Sequence, residues 1–94
     1  MQMPENGIKF PLGRTVITAN AQTHLSPEDI LSFLGRHESG DWGDICDDDR
    51  QQNKVALIEG LQLLSVYHTV GGTKFWIITE WDRSVTTILL PEDY

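Results

Sequence analysis

Three apolar runs divided by two short breaks fill the stretch from Leu61 to Pro91, and they constrain this chain more than any other feature. The first, Leu61 to Val70, is rich in β-branched and aromatic residues and ends at Gly71-Gly72. That dipeptide reaches positive φ without a Cβ penalty and predicts a two-residue hairpin turn. The second run, Thr73 to Trp81, alternates so that Phe75, Ile77, Thr79 and Trp81 share one face and Lys74, Trp76, Ile78 and Glu80 the other. Both faces are apolar in the middle, which places the strand inside a sheet with Lys74 and Glu80 near the rim. Asp82-Arg83-Ser84 then breaks the pattern, Val85 to Leu90 restores it, and Pro91 ends the ladder by removing a donor. The three runs read as one antiparallel meander.

Before the meander the signals are sparser. Met1 to Leu12 holds two prolines and little periodicity, so a flexible N-terminal arm is expected over residues 1–12 unless Ile8 and Phe10 dock. Residues 13–94 then form a single α+β domain. Arg14 to Thr18 is β-prone and suits a fourth strand on an edge of the meander. Ala19 to His24 has no clear period and reads as a turn of helix or a connector. At Leu25-Ser26-Pro27-Glu28-Asp29-Ile30 a helix begins: Ser26 accepts from first-turn N–H groups, Pro27 suits the first helical position, and the two acids complement the dipole. Leu25 and Ile30 form a hydrophobic staple, and Ile30, Leu31, Phe33, Leu34 and His37 make the stripe that faces the sheet, with Gly40 as terminator.

Glu38 to Asp49 contains six carboxylates and no base. Asp47, Asp48 and Asp49 are placed to open a second helix, with Asp48 and Gln51 or Asp49 and Gln52 spaced as a capping box. This helix runs to Glu59, buries Val55, Ala56 and Ile58 or Leu57, and ends at Gly60. Trp42, between Gly40 and Gly43, either anchors the loop in the core, which is the favoured reading, or stands out as an aromatic contact ringed by acids. The architecture expected is therefore an antiparallel sheet of about four strands, in the order β-α-α-β-β-β, with two helices on one face. Trp76 and Ile78 test it: if both lie on an uncovered face, a homodimer through that face follows.

Several function classes find no support in these residues. The twelve-residue calcium loop is missing, and three histidines with one cysteine lack the paired spacing of a zinc site, so no metal or cofactor is expected. Catalytic residue types are present but sit in no local signature, and no catalytic residue is assigned. Cys46 has no second cysteine to pair with, and no run resembles a signal peptide or a membrane span, which leads to the expectation of a soluble cytoplasmic protein. Fourteen acids against seven bases give a net charge of −7, unfavourable for direct contact with nucleic-acid phosphates or an anionic membrane and favourable for basic protein partners.

Ser39-Gly40-Asp41-Trp42-Gly43, Glu59-Gly60 with Leu63-Leu64-Ser65-Val66-Tyr67, Lys74 to Glu80, and Asp82 to Pro91 together resemble a group of short bacterial proteins described as plasmid-related or restriction-subunit-like. The resemblance covers about Gly13 to the C-terminus. It implies carriage on a plasmid, phage or other mobile element near defence or anti-defence genes, and it implies no reaction. The leading expectation is a small acidic, non-enzymatic accessory protein. It would bind a basic surface of another protein, such as a nucleic-acid-binding defence protein, and act as an anti-CRISPR or anti-restriction inhibitor. Its protein-binding residues would be Asp41, Trp42, Asp44, Asp47, Asp48 and Asp49. The alternative is a small hydrolase-like enzyme or ligand-binding domain using the Asp82-Arg83-Ser84 turn. In the structural reading of that turn Asp82 caps it and Arg83 is exposed; in a second, Arg83 pairs with Asp41 or Asp44 and holds Trp42 in place.

Overall fold

A computed structural model describes residues 7–94. In chain order it contains β1 (Arg14–Ile17), α1 (Ala19–His24), α2 (Pro27–Glu38), α3 (Asp47–Glu59), β2 (Leu63–His68), β3 (Lys74–Thr79), β4 (Val85–Leu89) and a closing 3₁₀ turn at Pro91–Asp93. The strands form one sheet in the order β1-β4-β3-β2. The register pairs Tyr67 with Phe75 and Ile77 with Ile88, so these side chains share a face with Leu63, Ser65, Thr79 and Thr86. The helices supply Ala21, Ile30, Phe33, Leu34 and Ala56 to the cores built on that face. The fold is α+β, as the sequence predicts.

Two features depart from the expected arrangement. The sheet is mixed, because β1 runs parallel to β4 with Arg14 opposite Val85 and Ile17 opposite Ile88. The edges explain where β1 goes. The β2 edge is already covered: the Val66 N–H donates to the Trp42 carbonyl, the Asp44 N–H donates to the Val66 carbonyl, and the Asn53 side chain bonds both backbone groups of Leu64. Only β4 keeps a free ladder for Arg14–Ile17. The second departure is α1, a third helix. Thr18 caps it by accepting from the Ala21 N–H, and Ala21 is its one buried residue, so a helix this short leaves no apolar period to read.

The meander is antiparallel as expected, but its first turn is longer than two residues. His68 pairs with Lys74, and residues 69–73 connect them, closed by Thr69 N–H to the Thr73 carbonyl at 2.9 Å. In α2, Ser26 caps by accepting from the Asp29 N–H with Pro27 in the first turn, and Leu25 and Ile30 join the same core. Leu31, expected in the inward stripe, is exposed. α3 ends at Gly60 in the left-handed conformation, but its cap residue is Cys46, with no side-chain cap bond, so neither capping box forms. Its inward residues are Asn53 and Ala56, with Leu57 half-buried; Val55 and Ile58 point outward.

Phe10 is buried, and the Lys9 N–H donates to the Glu38 carbonyl at 2.7 Å, so this part of the expected arm lies on the body while Ile8 remains exposed. Residues 1–6 of that arm fall outside the described residues. On the sheet face away from the helices Ile78 is 6% exposed, and Trp76 is half-buried with its ring edge-on to Tyr94 at 5.5 Å. Neither residue is bare, so the condition set for a homodimer through this face is not met. Among the described residues no helix is long and apolar enough to cross a membrane.

Candidate protein-binding surface

The acidic segment starts where α2 stops. Gly40 adopts φ 85°, and the Asp41 N–H returns to the Arg36 carbonyl at 2.9 Å. Arg36 then grips Asp41 bidentately, Nε to Oδ2 at 2.8 Å and Nη2 to Oδ1 at 3.2 Å, while its guanidinium lies over the Phe33 and Tyr67 rings. The hydrogen bond from Arg36 is the main reason the Asp41 carboxyl titrates below its ordinary range. Tyr67 donates to the Asp41 carbonyl, and burial pushes its phenol up to about 12.

Trp42 turns inward. It is 5% exposed, stacks on Phe10 at 6.0 Å and meets the His37 ring edge-on at 5.6 Å. Core anchoring is thus the role of this ring, and the alternative of an exposed contact is corrected: it cannot fill a pocket on a partner. Gly43 makes the turn possible, because at φ 75° an added Cβ would lie 2.1 Å from the Val66 carbonyl oxygen. The chain then emerges as Asp44, whose carboxylate meets His68 Nδ1 at 2.7 Å.

Asp47, Asp48 and Asp49 occupy the first turn of α3, and all three are exposed. They complement the positive end of the helix dipole without capping it. Arg50 reaches Asp47 only at 4.0 Å and donates to the Ile45 carbonyl instead. Asp44, Asp47, Asp48 and Asp49 therefore form one exposed acidic end, Asp41 is tied to Arg36 beside it, and Trp42 lies beneath.

The Asp82-Arg83-Ser84 turn is occupied by its own structure. Asp82 accepts from the Ser84 N–H at 3.1 Å and the Ser84 hydroxyl at 2.6 Å, as the capping reading predicts. Arg83 sits at φ 61° and donates to the carbonyls of Ala56, Leu61, Glu80 and Trp81. It is half-buried rather than exposed as the leading reading has it, and it binds neither Asp41 nor Asp44 as the second reading has it; it forms instead a clamp between α3 and the β3–β4 turn. The reason is reach: four convergent carbonyls lie around the guanidinium, and Arg36 already holds Asp41.

A buried polar chain that the sequence did not single out lies beneath these features. His37 is fully buried, with Nδ1 at 2.6 Å from the Ser65 hydroxyl and Nε2 at 2.8 Å from that of Thr79. Thr79 contacts the Thr86 hydroxyl at 2.7 Å, and Thr86 donates to the Leu12 carbonyl at 2.6 Å. Each hydroxyl has one proton, which fixes the directions from the Leu12 carbonyl back to His37 Nε2. Thr86 gives its proton to Leu12, so Thr79 must donate to Thr86. The Nε2–H of His37 must then donate to Thr79. Burial and then Arg83 lower the His37 pKa to about 3, so the imidazole is neutral and its Nδ1 accepts from Ser65. Ser65 and His37 are a familiar catalytic pair, yet here both are fully buried. The legible signal was two inward-facing hydroxyls, Ser65 and Thr79, on otherwise apolar strand faces, opposite a histidine on an apolar helix stripe.

Among the described residues no group of three or more potential ligands could hold a metal ion, and no pocket is found. No family model, curated protein or solved structure matches the chain.

Proposed function

We propose that this chain is a small acidic, non-enzymatic binding protein that docks on a basic surface of another protein through Asp44, Asp47, Asp48 and Asp49. The observation that carries this reading is their shared exposure at one end of the domain, with few bases to neutralise them. Clustered carboxylates accelerate encounter with a basic partner and make binding salt-sensitive. The turn residues that an enzymatic reading would use are engaged in holding the turn. The resemblance to mobile-element proteins supports an accessory role in the cytoplasm. A nucleic-acid-binding defence protein has the required basic surface, which makes anti-CRISPR or anti-restriction inhibition the specific form of the proposal.

The test is capture from the host on immobilised wild-type chain beside an Asp47→Lys/Asp48→Lys variant, followed by association kinetics with the recovered protein. A basic protein held by the wild type, with association slowed at least tenfold by the charge reversals at low salt, supports the reading. Equal association by both, at low and physiological salt alike, overturns it.

A further inference from the structure

Burying Trp42 removes the aromatic anchor from the acidic end, but the chain exposes another. Trp81 is 64% exposed at the β3–β4 turn, Leu61 is 40% exposed just after α3, and Ile58 and Val55 in the second half of α3 are 83% and 46% exposed. Arg83 ties their segments together: its guanidinium bonds the carbonyls of Leu61 and Trp81 together with that of Ala56 in the last turn of α3, and Val55 and Ile58 are one turn apart on the outer side of that helix. Isolated exposed apolar side chains are ordinary, but here an exposed aromatic and three exposed aliphatic residues stand on two segments that one guanidinium ties together. The rim is acidic. Glu59 follows Ile58, Glu80 and Asp82 flank Trp81 in the chain, and Asp48 lies on the same outer face of α3, seven residues or about 10 Å before Val55. Lys54 adjoins Val55 on α3, and Arg83 is taken up by four carbonyls.

We propose that the corner formed by Val55, Ile58, Leu61 and Trp81 is a docking site for a basic amphipathic helix of a partner protein, with Trp81 as its anchor. The inference rests on the docking role proposed above and names the surface that holds the partner after the acidic end has attracted it. An apolar centre with a carboxylate rim selects a helix with an apolar stripe between lysines and arginines, and a net charge of −7 disfavours an acidic occupant, including a second copy of this chain. From Asp48 to Ile58 the outer face of α3 runs about 15 Å, room for three turns of a helix laid alongside it. The division of labour follows from position: rim carboxylates govern association, and a desolvated tryptophan governs dissociation.

The probe is a synthetic helical peptide of lysine and leucine with leucines on one face. A glutamate–leucine peptide of the same pattern and a scrambled lysine–leucine peptide serve as controls. The titration follows amide and indole N–H resonances of the isotopically labelled full chain. The expected result is that the patterned lysine–leucine peptide alone shifts the Trp81 indole and the amides from Val55 to Leu61. Trp81→Ala should weaken binding at least tenfold, mainly through faster dissociation, and Ile58→Ser should weaken it less. Both residues are exposed, so unchanged thermal unfolding of the variants serves as the control. Absence of binding, shifts elsewhere, or unchanged affinity in Trp81→Ala overturns the proposal. So does equal binding of the scrambled or the acidic peptide, or a peptide-free dimer that Trp81→Ala dissociates. Loss of binding in Asp47→Lys/Asp48→Lys but not in Trp81→Ala would leave the acidic-end reading standing and remove only this one.

Discussion

Lowering the pH should unfold this domain through His37 before its carboxylates contribute. Burial, with a smaller contribution from Arg83, lowers the His37 pKa from 6.5 to about 3. Between those limits the unfolded chain carries a proton at this site that the folded chain does not, so stability is complete above pH 6.5 and falls as the pH is lowered. At ~1.4 kcal/mol per unit the whole window amounts to about 5 kcal/mol, against a typical domain stability of ~5–15 kcal/mol. The geometry explains the resistance to protonation. Nδ1 receives the Ser65 proton, and protonating the ring would bury a cation in a site closed to water and force the Ser65 hydroxyl to turn its proton away. Urea unfolding of the wild type, followed from about pH 7 to about pH 4.5, should show a slope approaching ~1.4 kcal/mol per unit below about pH 6. A His37→Gln variant should be less stable at neutral pH yet lack this component. Asp41, Asp82 and Asp93, whose pKa values are all lowered, affect stability only at more acid pH. The same slope in both proteins would refute the assignment to His37.

Three further substitutions probe the remaining supports. Gly43→Ala should cost about 3 kcal/mol or more, read by urea unfolding, because positive φ and a clash with the Val66 carbonyl and Tyr67 ring act together. Arg83→Lys should cost about 2 kcal/mol despite keeping the charge, since an ammonium with three donors on one atom cannot serve four carbonyls that converge on the two Nη atoms of the planar fork. Trp76→Phe should change the thermal midpoint little, because the indole N–H is buried without a partner and its loss offsets part of the lost apolar contact.

What could be read from the sequence was whatever depended on local pattern. The Ser26-Pro27 start of α2, the Gly60 stop of α3 and the alternation of β3 each follow from neighbouring residues, and each stands in the fold. Legibility failed where the deciding partner is distant. β1 pairs with β4 because a loop and Asn53 close the other edge of the sheet, and nothing within Arg14–Ile17 records that. α3 turns Asn53 inward and Val55 and Ile58 outward, the reverse of what hydropathy prefers, because Asn53 bonds the Leu64 backbone and Ala56 is small enough for close approach to Leu63. On the acidic segment, the carboxylates and the core position favoured for Trp42 were legible, and the rings that hold that tryptophan were not. Trp42 is fixed by Phe10 and His37, and Trp81, assigned by alternation to the strand face of Phe75 and Ile77, lies past the end of β3 and is exposed.

The polar chain through His37 also bears on why this sheet takes one register. A strand flips every side chain when it slips by one residue, and an apolar face alone discriminates weakly when both faces of the strand are apolar, as in β3. Here a slip would place Ile78 where Thr79 stands. The Nε2–H of His37 and the Thr86 hydroxyl would then lose their common partner, at about 1–3 kcal/mol for each buried group left unsatisfied. The same bonds fix α2 against β2 through Ser65, and they hold the segment before β1 through the Leu12 carbonyl. Five side-chain and backbone groups from five parts of the chain must therefore coincide. Apolar packing between these surfaces supplies most of the stability, and the hydroxyl-imidazole chain selects which packing is used. Thr79→Val tests this directly: it should cost about 1–3 kcal/mol through the two broken bonds and, unlike an isosteric change at Ile77, should lower the exchange protection of β3 and β4 amides together. Protection lost in β3 alone would show that the chain does not couple the strands.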